Sequence, residues 1–308
     1  MTSPGALWLK FRQTFEHGLR TAYYREIIRP KILDTPPIVA NDTSYCEIHV
    51  LTSANDWLNL VWGLKSLYYY SKRPYALCIH ADSSLGAEQQ AILQQHFPKA
   101  RVLDRSQADA EVLDWLAPYP RCQEFRQNNH LAPKVFDFLY YLQSDRLFLF
   151  DSDILFFQEP THLLHCLETP NYTLNTVNAD VASAYTVDPQ IVKEQLNFDL
   201  IPQFNSGLGL IHKASLNLEW LEEFLALPGI IGHFWRIEQT LFALCSSRFG
   251  VELLPEEYNV RLDRGLRNCP SRHYVGKIRH LMYDEGIRQL MRDHFIQDLC
   301  TSKHFVEL

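Results

Sequence analysis

Two carboxylates stand in the most apolar part of this chain. The stretch LFLFDSDILFF, residues 147–157, has eight large apolar residues among its eleven, with Asp151, Ser152 and Asp153 in the middle. Burying an unpaired carboxylate is costly, so this pair needs a compensating charge or an exit from the core. On an extended chain, residues i and i+2 project to the same side. Asp151 and Asp153 can therefore share one divalent cation. Mn²⁺ or Mg²⁺ takes oxygen ligands and commonly bridges carboxylates to phosphates. An isolated Asp-x-Asp is equally a pair of turn carboxylates at a strand end. The long apolar run before it and ILFFQEP after it favour the metal reading.

The elements that must position this pair follow from periodicity. EIHVLTS (47–53), YALCIHAD (75–82), ARVLD and RLFLFD read as strands. Helices are expected between them: 57–70 with Asp56 as its cap, then GAEQQAILQQHF, then 133–144 with Pro133 near its start. Strands alternating with helices argue for a mainly parallel sheet covered on both faces. Near-continuous apolar strands fit that arrangement better than a half-solvated sheet. Ligands in such sheets sit outside the carboxyl ends of the strands. Thr52, Ser53, Asp82, Asp151 and Asp153 all fall at such ends. Further on, FNSGLGLIHK (204–213) reads as a strand with two glycines, and 214–227 and 236–247 as helices. CPSRHYVGKIRHL reads as a basic loop or short strand, and 284–299 as a final helix.

Composition bounds the rest. The chain has 308 residues, 46% hydrophobic and 21% charged, with net charge −7. That suits an ordinary globular protein and argues against a nucleic-acid surface. Seven cysteines without a Cys-x-x-Cys read as buried thiols in a reducing compartment, hence a cytoplasmic protein without disulfides. No run is long enough to span a membrane. Residues 1–44 read as an amphipathic helical extension and linker, and 45–308 as the main domain. Ser3-Pro4 looks like a helix start, and Trp8, Phe11, Phe15, Leu19, Tyr23 and Ile27 recur at helical spacing among basic residues. Packing of this stripe on the domain is the ordinary explanation. Peripheral contact of residues 1–33 with the inner face of an anionic membrane is the alternative.

Four segments together carry a resemblance. DRLFLFDSDILFF, FNSGLGLIHK, RIEQTLF and HYVGKIR occur in the order found in nucleotide-sugar glycosyltransferases of the GT-A fold, and are most similar to glycosyltransferase family 8 and its relatives. The resemblance covers roughly residues 47–283. It implies an α/β fold, a Rossmann-like mixed, mainly parallel sheet with helices on both faces. It implies a metal-dependent hexosyltransferase using a nucleotide-diphosphate sugar, with UDP as the expected nucleotide and retention of configuration. The acceptor would be a carbohydrate or lipid-linked hydroxyl. Asp151 and Asp153 match the family's metal-binding pair, and His273 matches its third, distant ligand. Asn205, with Ser206 and Gly207 around it, matches the asparagine beside the donor sugar. Gln239 matches the glutamine next to the sugar, with Glu238 where an aspartate is common. Thr52 and Ser53 fall where the family holds the nucleoside, and Lys134 where it has an arginine.

The chain departs from the family at its C-terminal motif, His-x-x-Gly-x-x-Lys-Pro-Trp. Here His273 and Gly276 are followed by Arg279 at the lysine position, and His280-Leu281 replaces Pro-Trp. Arg279 keeps the charge and can grip a phosphate bidentately. Lys277 would support it, and Gly276 would let backbone approach the phosphates. His280 is the rival metal ligand if the loop is shifted. Two other readings remain beside the transferase: a nucleotide-sugar-binding protein without turnover, and a haloacid-dehalogenase-type phosphatase, in which the first aspartate of Asp-x-Asp attacks phosphorus. The latter wants its pair near the start of the domain, whereas this one lies halfway along.

Overall fold

The computed structural model describes residues 14–41 and 44–301. In chain order its elements are α1 (Gly18–Tyr23), β1 (Glu47–Thr52), α2 (Trp57–Ser71), β2 (Ala76–Ala81), α3 (Ala87–His96), β3 (Arg101–Leu103), α4 (Arg105–Trp115), α5 (Pro120–Asn128), α6 (Pro133–Tyr141), β4 (Arg146–Phe150) and β5 (Ile154–Phe156). There follow α7 (Thr161–Glu168), β6 (Asn175–Ala179), α8 (Pro189–Leu196), β7 (Phe204–His212), α9 (Leu218–Phe224), α10 (Ile237–Phe249), β8 (Val251–Leu253), β9 (Ser271–His273) and α11 (Phe295–Thr301).

Seven strands form one sheet in the order β3-β2-β1-β4-β7-β6-β8. Every pairing is parallel except the two made by β7, which runs antiparallel between β4 and β6. The expected mixed, mainly parallel sheet is what forms. β4 shows why its sequence is apolar throughout. Phe148 and Phe150 enter one core with α2, α3 and α7, while Leu147 and Leu149 enter the other with α4, α5, α6, α9 and α10. A strand buried on both faces has no solvent side to alternate with.

β5 and β9 make a separate two-stranded antiparallel ribbon, with Ile154 opposite His273 and Phe156 opposite Ser271. The two glycines expected beside a strand lie within β7. A side chain at Gly209 would run into the backbone of Thr176 on β6, so glycine lets these strands meet closely there.

Three expectations need correction. Asp56 precedes α2, but its side chain makes no capping hydrogen bond; it accepts from Arg279 instead. The final helix is interrupted: residues 276–292 pass through 3₁₀, α and π turns, and His294 has a positive φ of 58° before α11. The N-terminal stripe does not pack as expected. Leu19, Tyr23 and Ile27 share one exposed face, while Ala22, Ile28 and Ile32 are buried, and a π turn at Tyr24–Ile28 follows α1. Ser3, Pro4, Trp8 and Phe11 lie outside the described residues. Ile28, Ile32, Ile38 and Ala40 join the same core as β1. Among the described residues no helix is long and apolar enough to cross a membrane. Six cysteines are buried and Cys300 is exposed, all as free thiols.

Candidate active site

Strand register assembles the site. The Asp151 N–H donates to the Gly207 carbonyl at 2.8 Å, continuing the β4–β7 ladder and setting Asn205, Ser206 and Gly207 beside the first aspartate. The Tyr274 N–H donates to the Asp153 carbonyl at 2.9 Å, continuing the β5–β9 ribbon and setting His273 beside the second. The chain leaves β4 at Asp151 and enters β5 after Asp153, so the pair marks the exit from the main sheet.

Each carboxylate has one oxygen held by a lysine or arginine and the other turned toward His273. Lys134 Nζ lies 2.8 Å from Asp151 Oδ1, and Arg279 Nη2 donates to Asp153 Oδ2 at 2.6 Å. The remaining oxygens face His273: Nε2 is 3.0 Å from Asp153 Oδ1 and 3.7 Å from Asp151 Oδ2. Burial would disfavour the Asp153 carboxylate, yet His273 and Arg279 hold its pKa well below the usual range. Burial also works against a charged His273, and Asp153 and Asp151 outweigh it to raise its pKa.

The far side of His273 is fixed. Asn205 Oδ1 is 3.0 Å from His273 Nδ1 and accepts from the Gly207 N–H at 3.0 Å. The oxygen therefore takes the Nδ1 proton, leaving the Nε2 lone pair aimed at the aspartates in the neutral ring. Asn205 Nδ2 donates to Asp180 Oδ2 at 3.1 Å. A Cβ at Gly207 would collide with the His273 ring, so the missing side chain is the space the imidazole occupies.

Asp151, Asp153 and His273 can each turn a ligand atom into a cluster within 4.8 Å. A divalent cation fits them: three donors of suitable type converge, and neighbours on a shell with bonds of about 2.1 Å stand about 3 Å apart. The asparagine behind the histidine is the usual outer support of such a ligand. His280 is elsewhere, stacked on His17 with ring centroids 4.1 Å apart.

The cluster opens into a cavity of about 570 Å³ at the carboxyl ends of β1, β2 and β4, where such sheets receive ligands. Thr52, Ser53, Asp82, Lys134, Ser152, Ser206, Glu238, Gln239, Gly276 and Arg279 all line it. Two expected residues do not line the cavity: Gly207 lies behind His273, and Lys277 is exposed beyond the rim. Gly276 is on the wall, but a Cβ there would meet open space, so this structure shows no close approach that demands glycine. Asn205 also lines the cavity, its Oδ1 engaged by His273 and the Gly207 N–H and one Nδ2 hydrogen by Asp180.

Lys134 organises the opposite wall. Its Nζ contacts Asp151, Glu238 Oε1 at 3.0 Å and the Ser206 carbonyl at 3.0 Å. Burial disfavours its charge, but the two carboxylates raise its pKa above that of a free lysine. Glu238 also accepts from Ser206 Oγ at 3.1 Å, and its pKa is raised because burial outweighs Lys134. Sequence reasoning missed Asp180, Asp56, Asn55, His130 and Trp235, all on the cavity wall. Asp180 had a signal, since NTVNAD is another strand ending on aspartate.

No family model matches the chain, and no curated protein sequence matches it. Solved structures do. Mouse xyloside xylosyltransferase 1, in its apo form, aligns with TM-score 0.51 at 13% identity over 79% of this chain and 99% of that one. The fold is of the GT-A type. The WbbM bifunctional glycosyltransferase aligns with TM-score 0.47 at 15% identity, over 86% of this chain and 51% of that one. The galactosyltransferase LgtC, in complex with donor and acceptor sugar analogues, aligns at 0.47 and 14%, over 83% and 96%. In this GT-A chain the carboxylate pair lies where the fourth sheet strand ends, beside the antiparallel strand β7.

Proposed function

We propose that the chain is a metal-dependent glycosyltransferase that moves a hexose from a nucleotide-diphosphate sugar, UDP being the expected nucleotide, to a hydroxyl acceptor. The observation that carries this reading is the convergence of Asp151 Oδ2, Asp153 Oδ1 and His273 Nε2 on the wall of the cavity. A bound Mn²⁺ or Mg²⁺ supplies charge neutralisation to a diphosphate leaving group.

The protein's own residues do the rest. Asp151, Asp153 and His273 hold the cation, and Asn205 holds His273 in the tautomer that can bind. Arg279, half-exposed at the cavity wall and tied to Asp56 and Asp153, presents its guanidinium to the diphosphate, where developing negative charge needs fixed donors. Thr52, Ser53 and Asp82 border the nucleoside. Gln239 lines the sugar end, its Oε1 3.5 Å from the Ser206 N–H. Glu238 is held on both oxygens by Lys134 and Ser206, so it shapes that wall. Retention of configuration comes from the family resemblance alone.

A panel of nucleotide sugars screened by thermal shift with and without Mn²⁺ tests the reading. The correct donor raises the melting temperature in a Mn²⁺-dependent way. Product anomer analysis by NMR then tests retention, and donor hydrolysis separates an enzyme from a binding protein. No stabilisation by any nucleoside diphosphate, with metal present, would defeat the proposal.

A further inference from the structure

A second pocket of about 370 Å³ lies between α5, the end of α9 and the segment 229–236. Its lining is mainly apolar, from Phe125, Leu225, Ile231, Phe234 and Ile237, and Arg121, Glu124, Asn128 and Asn129 complete it. The donor cavity is immediately behind one of its walls. Successive residues face opposite ways: Asn129 into the second pocket and His130 into the cavity, Phe234 and Trp235 likewise, Ile237 and Glu238 likewise. Phe234 and Trp235 each stand 4.7 Å from the His130 ring, so three aromatic rings form the divide between the compartments, with Trp235 exposed at its edge.

Large apolar side chains are also exposed along this edge. Ile231 is 69% exposed and Trp235 62%, and Val181, next to the cavity residue Asp180, is 47% exposed. Apolar groups gathered at the rim of a polar cavity mark a surface that meets an apolar ligand. The occupant must also need few hydrogen bonds. Asn129 Nδ2 already donates to the Phe234 carbonyl at 2.9 Å, and its Oδ1 accepts from the Leu131 N–H at 2.8 Å. Arg121 is tied to Glu222, and Asn128 Nδ2 donates to the Glu124 carbonyl at 2.9 Å, so much of the polar lining is engaged within the protein, and an alkyl chain needs none of it.

We propose that this pocket seats the apolar aglycone of the acceptor, so that the chain glycosylates an alkyl-chain glycoside rather than a free sugar. The aglycone lies against Phe125, Ile231 and Phe234. The acceptor sugar crosses His130 and Trp235, whose rings offer a flat face to it, and brings its hydroxyl toward Gln239. This rests on the glycosyltransferase reading for the word acceptor, but the pocket's preference for an alkyl chain is measurable without turnover.

The test is binding of methyl, hexyl, octyl and decyl β-galactosides, each below its micelle concentration, to the full-length protein with Mn²⁺ and UDP. Affinity should rise with chain length, by up to about fourfold for each methylene fully buried. In Ile231→Asp and Phe234→Ser the dependence should flatten, while affinity for Mn²⁺–UDP stays unchanged. Both side chains are partly exposed, so neither change empties the core. Binding independent of chain length, or length dependence surviving in both variants, overturns the proposal. So does an apolar peptide that binds where the glycosides do not, or a concentration-dependent dimer that Ile231→Asp abolishes. If chain-length dependence holds while no nucleotide binds, the transferase reading fails and the pocket assignment stands.

Discussion

At the residue scale, the site depends on which oxygen each partner occupies. Lys134 and Arg279 take one oxygen of each aspartate, and the free oxygens point at His273. Asp153→Asn keeps the shape but removes the charge that holds a cation. It should abolish Mn²⁺ binding, read by calorimetry, and abolish transfer, while circular dichroism remains native; near-normal turnover would refute the metal assignment. His273→Ala should weaken Mn²⁺ binding severely, and His280→Ala should leave it unchanged, because His280 stacks on His17 and faces no carboxylate of the cluster. The opposite ranking would move the ligand to His280. Asn205→Ala tests the support behind the ring. Loss of such a partner typically costs about 10–100-fold in metal affinity. A loss confined to sugar binding, with metal affinity intact, would assign Asn205 the sugar contact that its family match implies.

At the element scale, β1 and β2 carry Glu47, His49, Cys78 and His80 on one buried face of the sheet, under the Phe138 ring of α6. His49 Nδ1 lies 2.9 Å from His80 Nε2, and Glu47 lies 3.3 Å from His49 Nε2. Burial lowers the pKa of both histidines. Burial alone would raise the Glu47 carboxyl, but His49, the Gln143 N–H and Arg101 hold it down at about 2. The signs agree. A histidine with a depressed folded pKa contributes stability above about pH 6.5 that is lost as pH falls; a depressed carboxylate contributes above about 4.5 and is lost toward 2. Stability from urea unfolding should therefore begin to fall below about pH 6.5, before carboxylates titrate. His80→Gln should reduce that slope by up to about 1.4 kcal/mol per pH unit; an unchanged slope would remove His80 from the acid limb. Much of this scale was legible. The run 147–150 gave β4 because both faces are buried, and strand-end aspartates marked the ligand edge. The β5–β9 ribbon was not legible, since three-residue strands are too short to show a period. The Arg279–Asp56 pair was hidden because an aspartate before a helix reads as a cap. The stripe was misread because helical spacing shows which side chains share a face, not whether that face is covered.

At the scale of the whole molecule, the N-terminal segment is part of the fold and also presents a surface. Ile28, Ile32 and Ile38 enter the core of β1 and α2, and the buried Trp62 indole donates to the Arg29 carbonyl at 2.8 Å. Lys65 reaches from α2 to the same segment, donating to Thr35 Oγ1 at 2.6 Å and the Pro36 carbonyl at 2.8 Å. Burial lowers its pKa to about 7, so those oxygens matter to its ammonium. Removing residues 1–44 exposes apolar surface worth roughly 1.5–3 kcal/mol for each of the three isoleucines and deprives Lys65 of its acceptors. Against a typical total of about 5–15 kcal/mol, the truncated protein should be largely unfolded at 37 °C by circular dichroism. Changing Leu19, Tyr23 and Ile27 together to serine touches the opposite face, and exposed positions usually shift stability by no more than about 0.5 kcal/mol. That triple variant should melt close to wild type. If the exposed stripe lies on an anionic membrane surface, the same variant should sediment less with phosphatidylserine vesicles, and added salt should weaken whatever part its arginines and lysines contribute. A truncation that melts like wild type would show the segment to be an appendage. Equal sedimentation of the triple variant and wild type would leave the stripe without a membrane role.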